Sequence, residues 1–111
     1  MAVQSINVMR ARELIESGEV EVIDVRDPHE WLSGHVEVAR HVPLSRLRTG
    51  AKSYLSRDNV IFVCAAGVRS NMAAQLAVAA GLTRVYNLAG GTKAWVAAGH
   101  ALVKPARQAV G

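Results

Sequence analysis

Four residues able to do chemistry together fall inside the run Cys64-Ala65-Ala66-Gly67-Val68-Arg69-Ser70. An ionised cysteine is a strong nucleophile, and a nearby arginine brings a charge that does not titrate. Gly67 permits backbone angles that other residues avoid, while Ala65 and Ala66 leave the mouth of the turn open to a reactant. Backbone N–H groups of the turn, and of the helix it feeds, would point at whatever sits on Cys64, and the helix dipole adds positive potential. Such a cradle lowers a thiol's pKa and holds an anion at the same time. Arg69 is assigned to orienting the turn and screening negative charge, and Ser70 to capping the following helix. The competing reading makes Cys64 a small apolar core residue, a common fate of a free cysteine. The glycine, arginine, small residues and helix start around it favour a reactive thiol.

Charge points the same way. Thirteen basic residues against nine acidic ones give a formal charge of +4, yet every acidic residue lies at or before Asp58. From Asn59 onward the charged residues are Arg69, Arg84, Lys93, Lys104 and Arg107, so the half carrying Cys64 is uniformly basic. That suits a small anionic ligand or a thiolate. Nucleic acid ranks below it, because the bases are scattered singly with no basic run or aromatic-basic motif.

A single cysteine forms no intramolecular disulfide and no multi-thiolate zinc site, so neither metal nor cofactor is expected. The first residues lack the pattern of a secretory signal, and no stretch approaches the length of a membrane span, so the expected setting is the cytosol with no membrane partner. A chain of 111 residues predicts one domain, with its core over about 5–103 and a short tail at 104–111.

The elements that must position Cys64 alternate in type. Met9–Ser17 reads as a helix with Met9, Leu14 and Ile15 on one flank and Gly18 as its stop, and Val20–Val25 as a strand ended by Asp27-Pro28. A helical turn follows through Glu30, Trp31 and Leu32, then a brief strand over Ala39–Val42 and a helix over Leu44–Leu55. Val60–Val63 is an unbroken apolar run, the pattern of a strand buried on both faces, and Cys64 ends it. Asn71–Ala80 reads as a helix with Met72, Leu76 and Ala80 inward, Val85–Leu88 as a strand, and Thr92–Ala98 as a last helix after Gly90-Gly91. Alternation of this kind predicts a mostly parallel sheet between helices. Ligands of such sheets sit beyond the carboxyl ends of the strands, where Cys64 falls.

Asp24 and Arg26 end their strand on the Cys64 side. They would either hydrogen-bond the turn or form a structural clamp with Glu30 as a further partner, and the clamp is the commoner fate of such a pair. Trp31 and Trp95 are expected to anchor the core. His35 is read as structural, and His29, His41 and His100 as surface residues.

Four motifs, taken in order, resemble the single-domain rhodaneses, a sulfurtransferase family: Val22-Ile23-Asp24-Val25-Arg26 with Glu30; Gly34-His35-Val36; Cys64 to Ser70; and Leu88-Ala89-Gly90-Gly91 with Trp95. The similarity runs from about Val8 to Val103. It implies an α/β, three-layer fold with a five-stranded, mostly parallel sheet and helices on both faces. It also implies a Cys64 persulfide cradled by the loop from Cys64 to Arg69. The partners implied are a small anionic sulfur donor, thiosulfate or a persulfide, and a thiol or cyanide acceptor, with a sulfur-relay protein as a further candidate. Four residues separate Cys64 from Arg69, whereas phosphatases and arsenate reductases of similar fold have five, which argues for sulfur over phosphate. Thiosulfate-active members often carry a basic residue directly after the cysteine, and Ala65 stands there, which favours a persulfide donor. A non-catalytic binding module of the same fold is the remaining alternative.

Overall fold

A computed structural model describes residues 3–105, so the expected tail from Ala106 onward lies outside the described residues. Strands and helices alternate: β1 (Val3–Ile6), α1 (Val8–Ser17), β2 (Glu21–Asp24), α2 (Pro28–Ser33), β3 (Ala39–His41), α3 (Leu44–Tyr54), β4 (Val60–Val63), α4 (Val68–Ala79), β5 (Val85–Leu88) and α5 (Gly91–Ala97). The five strands pair in the order β1-β5-β4-β2-β3, every pair parallel.

β4 lies at the centre, and all four of its residues are buried. Successive side chains of a strand point to opposite faces, so Val60 and Phe62 enter the layer formed with Leu44 and Leu47 of α3 and Ala73, Ala74 and Ala77 of α4. Ile61 and Val63 enter the opposite layer, with Val8 and Ala11 of α1 and Trp95 of α5. Both faces of β4 are covered, which is why Val60–Val63 shows no polar alternation. Cys64 continues the parity of Val60 and Phe62 and belongs to the α3–α4 layer.

The structure differs from expectation in α4, in α1 and at Trp31 and His41, and adds a strand that the pattern does not show. β1 escapes a reading by pattern because only Ile6 of its four residues is buried, on an edge strand beside β5. The α4 helix starts at Val68 rather than Asn71, and its inward face is Ser70, Ala73, Ala74 and Ala77, with Met72 exposed. Small side chains bring this helix close to the sheet, a fit that larger apolar residues at fourfold spacing would prevent. In α1 the buried residues are Val8 and Ala11, and Met9 projects into solvent. Trp31 is a half-buried plate stacked on His35 (3.6 Å between ring centres) and His41 (4.8 Å), so His41 is no free surface residue. Trp95 is buried as expected.

Candidate active site

The chain leaves β4 at Val63 and immediately turns, because Gly67 adopts a positive φ of 102° and caps the start of α4. Cys64 is thereby held at the carboxyl end of the central strand, and the residue is only 1% exposed. The Gly67 N–H donates to Sγ at 3.1 Å, and the Ser70 hydroxyl lies 3.2 Å from the same sulfur. Ala65 is half-buried and Ala66 exposed at the mouth of the turn, with the buried sulfur behind them.

Burial pushes the Cys64 thiol up, but hydrogen bonds from the Ser70 hydroxyl and from the amides of Ser70, Ala66 and Gly67 outweigh it, and the net pKa is lowered. Ser70 is therefore not the cap of α4. It sits fully buried in the first turn, with its hydroxyl against the sulfur. The hydroxyl has a single proton, given to Asn87 Oδ1 of β5 while Cys64 is a thiol, and it can turn to the sulfur as Cys64 ionises. Ser70→Ala removes that donor to the thiolate, and hydrogen bonds to charged groups are worth about 1.5–3 kcal/mol. Alkylation of Cys64 by iodoacetamide at pH 6 is expected to slow about tenfold, with the inflection of the rate–pH curve moving up. An unshifted curve would remove Ser70 from the cradle.

Asn87 of β5 completes the arrangement and escapes the sequence reading. Its Nδ2 donates to the Gly67 carbonyl at 3.1 Å, which fixes the amide's orientation, and its Oδ1 accepts the Ser70 hydroxyl at 2.5 Å. The available signal is a polar residue at a buried position of the strand Val85-Tyr86-Asn87-Leu88, in register with Val85 on the α4 side.

The Gly90-Gly91 pair seats α5 on the back of the turn. Thr92 N–H donates to the Cys64 carbonyl at 2.8 Å, and Lys93 N–H to the Ala65 carbonyl at 3.1 Å. Gly91 has φ +58°, and a Cβ there would collide with the Cys64 carbonyl oxygen and lie 2.5 Å from the Ala65 carbonyl carbon. The variant Gly91→Ala is expected to lose about 3 kcal/mol, from left-handed strain plus the clash, read as a lower urea midpoint. A midpoint within 0.5 kcal/mol of the parent protein, about the scale of a neutral surface change, would show that α5 does not need this contact.

Asp24 and Arg26 do not reach the turn. Arg26 binds Asp24 through Nε and Nη2 at 2.8–3.0 Å and donates to the Gly34 carbonyl at 2.7 Å, all buried, which makes the pair a clamp between β2 and the end of α2. Glu30 is not its partner. The Glu30 carboxylate binds Arg69 Nη1 and Nη2 at 2.7 and 3.0 Å while also accepting the Asp27 N–H that starts α2. The Arg69 hydrogen bond is the main reason that the Glu30 pKa falls to about 2, ahead of the opposing effect of burial. Arg69 therefore ties the turn to α2 instead of folding back over the sulfur.

Among the described residues no group of three or more His, Cys, Asp or Glu is placed to hold a metal ion, and no helix is long and apolar enough to cross a membrane. A surface cavity of about 400 Å³ opens between α1 and α5, lined by Arg12, Ile15, Trp95 and His100 among others, and includes no residue of the turn.

A parallel α/β sheet with a hydrogen-bonded thiol at the carboxyl end of its central strand defines a cysteine-loop protein of the three-layer type. The family model for the rhodanese-like domain matches residues 8–98, and the chain belongs to that family. An uncharacterised Bacillus subtilis protein, YqhL, is 41% identical over 75 residues, covering 68% of this chain and 60% of that protein. The thiosulfate sulfurtransferase GlpE of Pseudoalteromonas translucida is 30% identical over 98 residues, covering 88% of this chain and 93% of that one. Among solved structures, a rhodanese-related protein from Thermoplasma volcanium superposes with a TM-score of 0.78 at 34% identity, covering 90% of this chain and 97% of that one.

Proposed function

We propose that this protein is a sulfurtransferase in which Cys64 accepts a sulfane sulfur, carries it as a persulfide, and passes it to a thiol or cyanide. The observation that carries the reading is the sulfur's environment: Sγ accepts the Gly67 N–H at 3.1 Å, and the amides of Ser70, Ala66 and Gly67 together favour its negative form. A thiolate of lowered pKa is already the nucleophile near neutral pH.

In the first half-reaction Sγ bonds to the donor's sulfane sulfur while the donor's bond to that sulfur breaks, and the leaving thiolate or sulfite departs with the electron pair. In the second, an acceptor thiolate or cyanide attacks the outer sulfur, and the Cys64 thiolate leaves and is restored. The same backbone donors serve both steps, since each develops or discharges negative charge on sulfur. Neither step consumes an oxidant, a metal or an organic cofactor.

A covalent carrier of this kind gives ping-pong kinetics. Initial rates with cyanide at several fixed thiosulfate or persulfide concentrations are expected to yield parallel double-reciprocal lines. Intersecting lines would mean that both substrates must be bound together, and the persulfide carrier would be excluded. A purely protein-binding role is the weaker reading, because such a module has no physical need for a hydrogen-bonded thiol.

A further inference from the structure

We infer that Glu30 is a specificity-determining residue: by holding Arg69 in a bidentate ion pair it neutralises the turn's own cation, so the site favours a persulfide donor over a dianion such as thiosulfate. The inference rests on the sulfurtransferase reading and names the donor class for that same site.

Arg69 is the one charged residue between Cys64 and Ser70. Both terminal nitrogens of its guanidinium are engaged by the two oxygens of Glu30, at 2.7 and 3.0 Å, and both side chains are partly buried, at 34% and 22% exposed. Bidentate arginine–carboxylate geometry is directional, and it sets a carboxylate against the guanidinium, so a ligand at the sulfur meets an ion pair in place of a free cation, although Arg69 still feels the Cys64 charge. Glu30 stays ionised well below neutral pH, so the neutralisation holds throughout the range in which Cys64 reacts. The neighbouring Lys93 is exposed to solvent, where salt screens its charge.

The two donor classes differ in what they ask of this mouth. When the thiolate attacks thiosulfate, three negative charges meet: one on Sγ and two on the donor. The new Sγ–S bond forms as the S–SO₃ bond breaks, and sulfite leaves with the electron pair and two charges. Attack on a protonated alkyl persulfide brings one negative charge in all. The new bond forms to the outer sulfur, the proton stays on that sulfur, and the alkyl thiolate leaves with the electron pair. Without a free cation the first encounter is penalised far more than the second.

The test measures single-turnover loading of Cys64, by quenched-flow intact-mass spectrometry, from thiosulfate and from 2-hydroxyethyl persulfide. The parent protein, Glu30→Gln and Glu30→Gln/Arg69→Gln are compared. Glutamine keeps an acceptor for the Asp27 N–H, so the start of α2 is preserved. Glu30→Gln is expected to raise the ratio of thiosulfate to persulfide loading about tenfold, equivalent to about 1.4 kcal/mol, and the double variant to return it towards the parent value. Taking a ratio cancels any general change in thiol reactivity. A ratio that stays within about twofold of the parent's in Glu30→Gln, a difference well under 1 kcal/mol, overturns this inference alone. No loading from either donor overturns the sulfurtransferase reading, and this inference with it.

Discussion

Cys64→Ser is expected to bring sulfur transfer down to the uncatalysed background, a loss of at least about a thousandfold, while leaving the protein folded. Serine is smaller than cysteine, and its hydroxyl finds the partners that Sγ has, the Gly67 N–H and the Ser70 hydroxyl, so the buried site stays satisfied. What disappears is the nucleophile, since an alcohol does not ionise near neutral pH as a thiol of lowered pKa does. Cyanide-dependent thiocyanate formation checks this, with a thermal melt as the folding control. Residual turnover above a tenth of the parent rate, far more than the covalent route allows, would mean that another group carries sulfur.

The second large effect is on stability. Arg26→Leu leaves the Asp24 carboxylate buried without its partner and strips the Gly34 carbonyl of its donor. Breaking one side of a buried ion pair costs about 3–5 kcal/mol, most of it the uncompensated charge. That is a large share of the 5–15 kcal/mol by which domains of this size are stable. Urea unfolding is expected to show a midpoint lowered accordingly with an unchanged slope. Loss of the charge on both sides, in Asp24→Asn/Arg26→Leu, is expected to be milder than Arg26→Leu alone, and a double variant no better than the single one would place the cost in lost packing.

These expectations separate two groups of residues that the sequence places together. Cys64 and Gly67 were legible from residue type and spacing as a tight turn at a strand end, where a Gly67 N–H meets the thiol, whereas Arg69 was expected to reach back towards the sulfur and pairs with Glu30 instead. The central strand was legible for a different reason, since four consecutive apolar residues can be buried on both faces only inside a covered sheet. Pairing was the illegible part. Arg26 and Arg69 are both arginines near Glu30, and which one the carboxylate meets depends on how α2 is set against the start of α4, a tertiary placement with no local signature. Ser70 is displaced from its expected role by one fact of phase: with α4 starting at Val68 it falls on the inward face of the first turn, against Sγ, instead of at the cap. Asn87 escapes because a lone polar residue in a short strand is ordinary until the strand's neighbours are known. β1 is lost for the reverse reason, an edge strand with too little burial to impose a pattern.

The glycines divide in the same way. Gly67 was legible as a turn residue, but Gly91 is required by contact, with α5 resting on the carbonyls of Cys64 and Ala65, and no local rule would have separated it from Gly90.

The central claim, that Cys64 carries a persulfide, is tested most directly by intact-protein mass spectrometry of reduced protein after incubation with thiosulfate and, separately, with a small persulfide. A gain of one sulfur atom is expected, absent in Cys64→Ser and lost again when cyanide or a thiol is added. A folded, reduced protein that gains no sulfur from either donor would contradict it.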